Sequence, residues 1–166
     1  MKKLFTTVVL ILLFAFPLGS SQKSLHDGKN IWTYKSYESV MADRQKQLTC
    51  LAKNIYFEAR NEPFAGQFAV ALVTLNRVKD TAFPDTICKV VYQHGQFSWT
   101  QDNISDKPKH KKLYDKIKLL SIDITKGKYK DPTFGAMYFH TRQISPRWMN
   151  RVKRTVTIGN HIFYRR

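Results

Sequence analysis

The sequence predicts an α+β domain that is mostly helical, with a small β element at its C-terminal end. Three observations predict it. Apolar residues recur at spacings of three and four from Leu48 to Ala59, and a second apolar run extends to Val78. A basic stretch further on repeats the helical spacing at Leu113, Ile117 and Leu120. The end of the chain, "RTVTIGNHIFYRR", instead alternates apolar residues on both sides of Gly159-Asn160, which is the signal of a two-residue hairpin. Helices first and strands last is the order of an α+β domain.

The chain begins with Lys2 and Lys3, the apolar run "LFTTVVLILLFAFPL" and the small residues Gly19, Ser20 and Ser21. A charged start, a short apolar stretch and a small-residue exit predict a secretory signal peptide over residues 1–21. The run is short for a membrane span and Pro17 closes it, so no stable span is expected after cleavage. Residues 22–43 are polar without a sustained period and are expected to form an N-terminal tail. Residues 44–166 are expected to form one domain, exported to the periplasm, the cell wall or the medium, and monomeric.

Within that domain the first helix carries Leu48, Leu51, Ala52, Ile55 and Ala59 on one stripe. Pro63 ends it, because the residue before a proline is pushed out of the helical region. The same proline suits the first turn of a second helix, "FAGQFAVALVTLNRV". Only Gln67 and Thr74 are polar between Phe64 and Leu75, which predicts a buried central helix. "FPDTICKVVYQ" reads as a turn and a short third helix, and "GQFSWT" as a strand or a shaped loop. The basic helix closes at Gly127, and "FGAMYFHT" reads as a strand.

Charge narrows the partners. Lys and Arg number 28 against 12 Asp and Glu, a net +16, or +14 once Lys2 and Lys3 are removed with the signal. Such a surface attracts polyanions. For an exported chain these are anionic envelope polymers, and no nucleic-acid recognition motif is present. Cys50 and Cys88 make an even pair, which in an oxidising compartment suggests a bridge; two unconnected buried thiols are the alternative. No Cys-x-x-Cys occurs and the five histidines lack ligand spacing, so no metal site and no cofactor are expected.

Glu58, in "NIYFEARNEP", is the candidate for chemistry. On a helical wheel it lies near Leu51, at the edge of the apolar stripe and in the last turn. Partial burial and the negative end of the helix dipole both disfavour the ionised form and should raise its pKa. An acid so tuned can protonate a leaving group near neutral pH. Glu62 precedes a helix N-terminus, where negative charge is favoured. The plainer reading pairs Glu58 with Arg60, Lys53 or Arg77 and leaves Glu62 as a helix cap.

The ordered run Glu58-Ala59-Arg60-x-Glu62, Gly66-Gln67, Leu75-Asn76-Arg77-Val78 and Phe83-Pro84 resembles the SleB/CwlJ cell-wall hydrolase family, which includes spore-cortex-lytic enzymes. The likeness continues through "QFSWT", "AMYFHT", "SPRW" and "TIGNHIFY". It implies a lysozyme-like fold, related to goose-type lysozymes and lytic transglycosylases, and cleavage of peptidoglycan glycan strands. It also implies that Glu58 is the catalytic residue. Where the family usually has glycine this chain has Asn61, which tolerates the left-handed conformation that ends helices. No peptidoglycan-binding repeat is recognisable in residues 22–43, so targeting is expected to rest on the basic surface and the groove.

The mechanism expected first is that of a lytic transglycosylase, in which Glu58 alone is acid and then base. Hydrolysis of the muramidase type needs a second carboxylate on the opposite wall, for which Asp102 is the candidate and a turn residue its plainer reading. Sugar sites are walled by aromatics and read by amides and hydroxyls. Tyr56, Trp99, Tyr138 and Trp148 are the candidate walls, and Gln67, Ser98, His140 and Glu62 the candidate polar contacts, although each aromatic fits a packed core equally well. Phe97 belongs with the walls on the same terms. Asn76 and Arg77 are expected to hold helices together. Two rival classes remain: a Cys–His enzyme built on Cys50, and a basic exported protein that binds anionic polymer without catalysis.

Overall fold

The computed structural model describes residues 29–166, with side chains from residue 35; the expected signal peptide lies outside them. Four α-helices precede a three-stranded sheet: α1 (Lys29–Ala59), α2 (Phe64–Lys79), α3 (Ile87–Val91), α4 (Lys111–Thr125), β1 (Tyr138–Thr141), β2 (Lys153–Ile158) and β3 (His161–Arg165). No helix among the described residues is long and apolar enough to cross a membrane.

The helix α1 begins fifteen residues before Arg44, so much of the expected tail is helical. Its pattern misses the extension because residues 35–46 are exposed: with nothing to pack against, they show no apolar period. From Cys50 onward the helix is core. Leu51, Ala52 and Ile55 are fully buried against Phe68, Ala71 and Leu72 of α2 and Ile117, Leu120 and Ile124 of α4. Residues 68–74 of α2 are buried without interruption, as expected of a central helix. The remaining face of α2, with Ala69, Val70 and Val73, receives Phe163 of the sheet.

The strands pair antiparallel in the order β1-β3-β2, with Tyr138 opposite Tyr164 and Ile158 opposite His161. Gly159 forms the hairpin turn at φ +59, a conformation that a residue without Cβ adopts freely. The segment "GQFSWT" is a shaped loop with one 3-10 turn, Ser98–Thr100.

Cys50 and Cys88 are bridged, fastening α1 to α3 beside Phe97 and Trp99. No free cysteine remains among the described residues, which removes the Cys50 thiol as a nucleophile. The bridge closes a loop across 38 residues of sequence separation. Reduction is therefore expected to lower the unfolding free energy by about 3–4 kcal/mol on the chain-entropy account. Urea unfolding with and without reductant measures it, and unchanged midpoints would show that the loop is held by packing alone.

Candidate active site

Where α1 ends, the chain must turn sharply into α2, and two glutamates flank that corner. Glu58 sits in the last turn of α1, half-buried. It lines two cavities at once, of about 260 and 310 Å³, together with Phe57, Thr141 and His161. Its carboxylate makes no hydrogen bond with another described residue. Burial pushes its pKa up to about 7, with the charge of Arg77 pulling the other way.

Arg77 is almost fully buried. Its Nε donates to the Met137 carbonyl at 2.7 Å, and the guanidinium lies 5.2 Å from the Phe83 ring centre and 5.4 Å from that of Phe97. Burial lowers its pKa to about 10, so it stays cationic near neutrality. Asn76 donates to Asp131 and to the Ala136 carbonyl. Both residues tie α2 to the segment leading into the sheet, whereas the sequence predicts that they join helix to helix.

Glu62 borders the smaller of the two Glu58 cavities, but its side chain is engaged by the hairpin. Its side chain is only 7 % exposed. Oε2 accepts from the Asn160 backbone N–H at 3.0 Å and Oε1 from the Asn160 side-chain amide at 3.1 Å. A Cβ on Gly66 would stand 2.8 Å from Glu62 Cβ, and one on Gly159 would overlap Glu62 Oε2. Two glycines thus make room for a carboxylate that anchors the hairpin to the helical corner. Its negative charge is committed to the fold.

The structure brings some of the remaining candidates to Glu58 and leaves others elsewhere. Ser98, Trp99, His140 and Trp148 line the larger of the two Glu58 cavities. Trp99 is itself nearly buried, stacked on Phe57 at 4.7 Å, with Nε1 donating to Asn54. In His140, Nδ1 donates to the Thr141 carbonyl and Nε2 meets the Tyr164 hydroxyl, both at 2.8 Å. Five other candidates lie away from the Glu58 cavities. Tyr56 is core, its hydroxyl accepting from the His110 N–H. Gln67 donates to the Glu62 carbonyl and borders a groove on the far side, against α4. Tyr138 packs against Phe83 and Trp148, within 5.8 Å of Arg77. Phe97 is likewise core, under Arg77. Asp102 is exposed, caps a turn by accepting from the Ile104 N–H at 2.9 Å, and borders a neighbouring cavity without Glu58.

His161, Phe57 and Thr141 were not singled out from the sequence. His161 had a usable signal, since the hairpin alternation puts it on the same inward face as Phe163. Its ring is 2 % exposed and edge-on to Phe139. Nδ1 is buried without a hydrogen bond, 4.0 Å from Glu62 Oε1. Burial lowers its pKa, opposed by Glu62, so the imidazole is neutral at neutral pH and adds no charge beside Glu58. Among the described residues no group of acidic, histidine or cysteine side chains is arranged to hold a metal ion.

Known proteins share this fold. The catalytic domain of the germination-specific lytic transglycosylase SleB from Bacillus anthracis superposes with a TM-score of 0.60 at 32% identity, over 73% of this chain and 95% of that one. The catalytic domain of Bacillus cereus SleB gives 0.57 at 30% identity, over 73% and 91%. A spore cortex-lytic enzyme of Oceanobacillus iheyensis is 34% identical over 121 residues, and one of Bacillus cereus 32% over 120. Both alignments cover 72% of this chain but only 41% and 44% of those proteins, so the chain spans less than half their length. The family described as Cell Wall Hydrolase matches residues 61–164, a range that opens three residues after Glu58 and takes in the sheet as far as Tyr164. That match over more than half of the sequence, and two catalytic domains covered almost end to end, make this chain a member of the cell wall hydrolase family.

Proposed function

We propose that this chain cleaves the glycan strands of peptidoglycan between N-acetylmuramic acid and N-acetylglucosamine as a lytic transglycosylase, with Glu58 as its one acid and base. The observation that carries the proposal is a carboxyl without a hydrogen-bond partner among the described residues, raised to about 7 by burial and shared by two cavities. The other carboxylate bordering either cavity is Glu62, and Asn160 occupies both of its oxygens. A hydrolase that needs a free second carboxylate finds none there among the described residues. A transglycosylase needs only one. The likeness to a catalytic domain named as a lytic transglycosylase supports the same reading.

In the first step protonated Glu58 gives its proton to the bridging oxygen, and the bond from muramic acid C1 to that oxygen breaks. Arg77 stabilises the carboxylate left behind, since its charge favours the ionised form. The muramic acid 6-hydroxyl then bonds to C1 and returns its proton to Glu58. An anhydro ring closes, no water is consumed, and the acid is regenerated. Trp148 and the 3-10 turn carrying Ser98 and Trp99 frame the sugar-binding side. The disulfide and the signal-like N-terminal run support action outside the cytoplasm.

Mass spectrometry of digested peptidoglycan tests the reaction. Muropeptides one water lighter than hydrolysis products are expected. Reducing ends would instead mean hydrolysis and return attention to Asp102, and no cleavage would leave polymer binding as the activity.

The pH profile provides a second check. The acid must be protonated at the start of each turnover, so kcat/KM is expected to fall tenfold per pH unit above about 7. A profile flat to pH 9 would remove Glu58 as the proton donor.

A further inference from the structure

The groove around Glu58 is electrically lopsided. On the side of Ser98 and Trp148, the cavity wall contains no lysine or arginine among the described residues. Arg60 lines the smaller Glu58 cavity and also two neighbouring ones, of about 290 and 530 Å³. Arg60, Lys107, Lys109 and His110 border the first of these, and Arg60 and His110 are shared with the second, which adds Lys111 and Lys112. Arg60 rests over the Tyr56 ring at 5.5 Å. Neither it nor Lys107, Lys109 or Lys112 forms an ion pair with a described carboxylate. Lys111 acts on Asp115. Among the described residues Asp102 is the one carboxylate in the wall, and its Oδ1 is engaged by the Ile104 N–H. Unpaired cations around a concavity that adjoins the Glu58 cavity at Arg60 form a receptor for negative charge.

We infer that this basic branch is a subsite for the carboxylates of the peptide stem carried by muramic acid, so that the enzyme prefers peptide-bearing glycan to bare glycan. The inference rests on the transglycosylase reading for its ligand. Muramic acid holds its peptide through the lactyl group, at the side of the strand, and that peptide ends in free carboxylates. A glycan lying along the neutral branch past Glu58 places such a side chain beside Arg60. The flexible lysines of residues 107–112 supply point charges suited to carboxylates whose position varies with stem length.

The test is titration calorimetry with two soluble ligands, the disaccharide-tetrapeptide and the same disaccharide without peptide, against wild type and a Lys107→Gln/Lys109→Gln double variant. Wild type is expected to bind the peptide-bearing ligand about five- to tenfold more tightly, with the advantage shrinking as salt rises, and the double variant is expected to lose most of that advantage. Equal wild-type affinities would overturn the subsite. So would a variant that weakens both ligands alike, since the lysines would then hold sugar. A variant that loses binding to poly(glycerol phosphate) while keeping the peptide advantage would assign the branch to phosphate polymers and overturn it too. Binding is read without cleavage, so failure of the transglycosylase reading shows separately, as intact peptidoglycan left uncut by wild type.

Discussion

Replacing Glu58 by glutamine is expected to slow glycan cleavage by about 10²- to 10⁴-fold while making the protein more stable above neutral pH. The first effect follows from the site. Glutamine keeps the shape of the protonated acid but has no proton to give and cannot accept one back, and no other free carboxyl among the described residues borders the two cavities. The second follows from linkage. The folded-state pKa is about 7 against an ordinary 4.5, so the native protein resists losing this proton. The stabilising contribution of the protonated group is complete below pH 4.5 and is lost as pH rises through 7. At pH 8 the wild type therefore carries a penalty of about 3 kcal/mol that glutamine does not, whereas near pH 4 the two should unfold alike. Chemical denaturation at the two pH values reads this difference. A variant that is inactive and equally stable at both would mean that Glu58 is not desolvated. One that keeps its activity would mean that the catalytic acid lies elsewhere.

The raised pKa of Glu58 was legible before the structure, because Glu58 stands on the edge of a stripe whose other members are apolar. Periodicity also exposed the central helix and the hairpin, since both are buried on faces that the sequence must mark with apolar side chains. Long-range partnership was harder to read. Glu62 and Asn160 are 98 residues apart, and nothing local in "RNEP" says that both carboxylate oxygens will be spent on a hairpin turn. The aromatics were ambiguous for a related reason. Tyr56 and Trp99 are both buried, yet Trp99 reaches the Glu58 cavity and Tyr56 does not, and which face of a ring meets solvent depends on elements brought together from across the chain. The solvated half of α1 left no apolar period at all.

The second large effect concerns that clamp. Gly159→Ala is expected to cost about 3 kcal/mol, well above the cost of Gly127→Ala, although both glycines have positive φ, +59 and +70. The backbone term is common to the two, about 1–2 kcal/mol for an L-residue held in the left-handed region. What differs is the surroundings. A Cβ at Gly127 meets nothing within 4 Å, whereas one at Gly159 overlaps Glu62 Oε2 and must push a buried carboxylate off the Asn160 N–H. Losing a hydrogen bond to a charged group supplies the remaining 1–2 kcal/mol or so. A double-mutant cycle isolates that term: with Glu62→Ala already in place, Gly159→Ala should cost no more than Gly127→Ala does alone. The damage should also reach activity, because Asn160 and His161 follow the glycine directly and border the Glu58 cavity. Cleavage by Gly159→Ala should fall even under conditions where the protein is fully folded, while Gly127→Ala cleaves normally. Equal costs for the two glycines would show that Glu62 yields freely, and the anchoring role of its carboxylate would have to be given up.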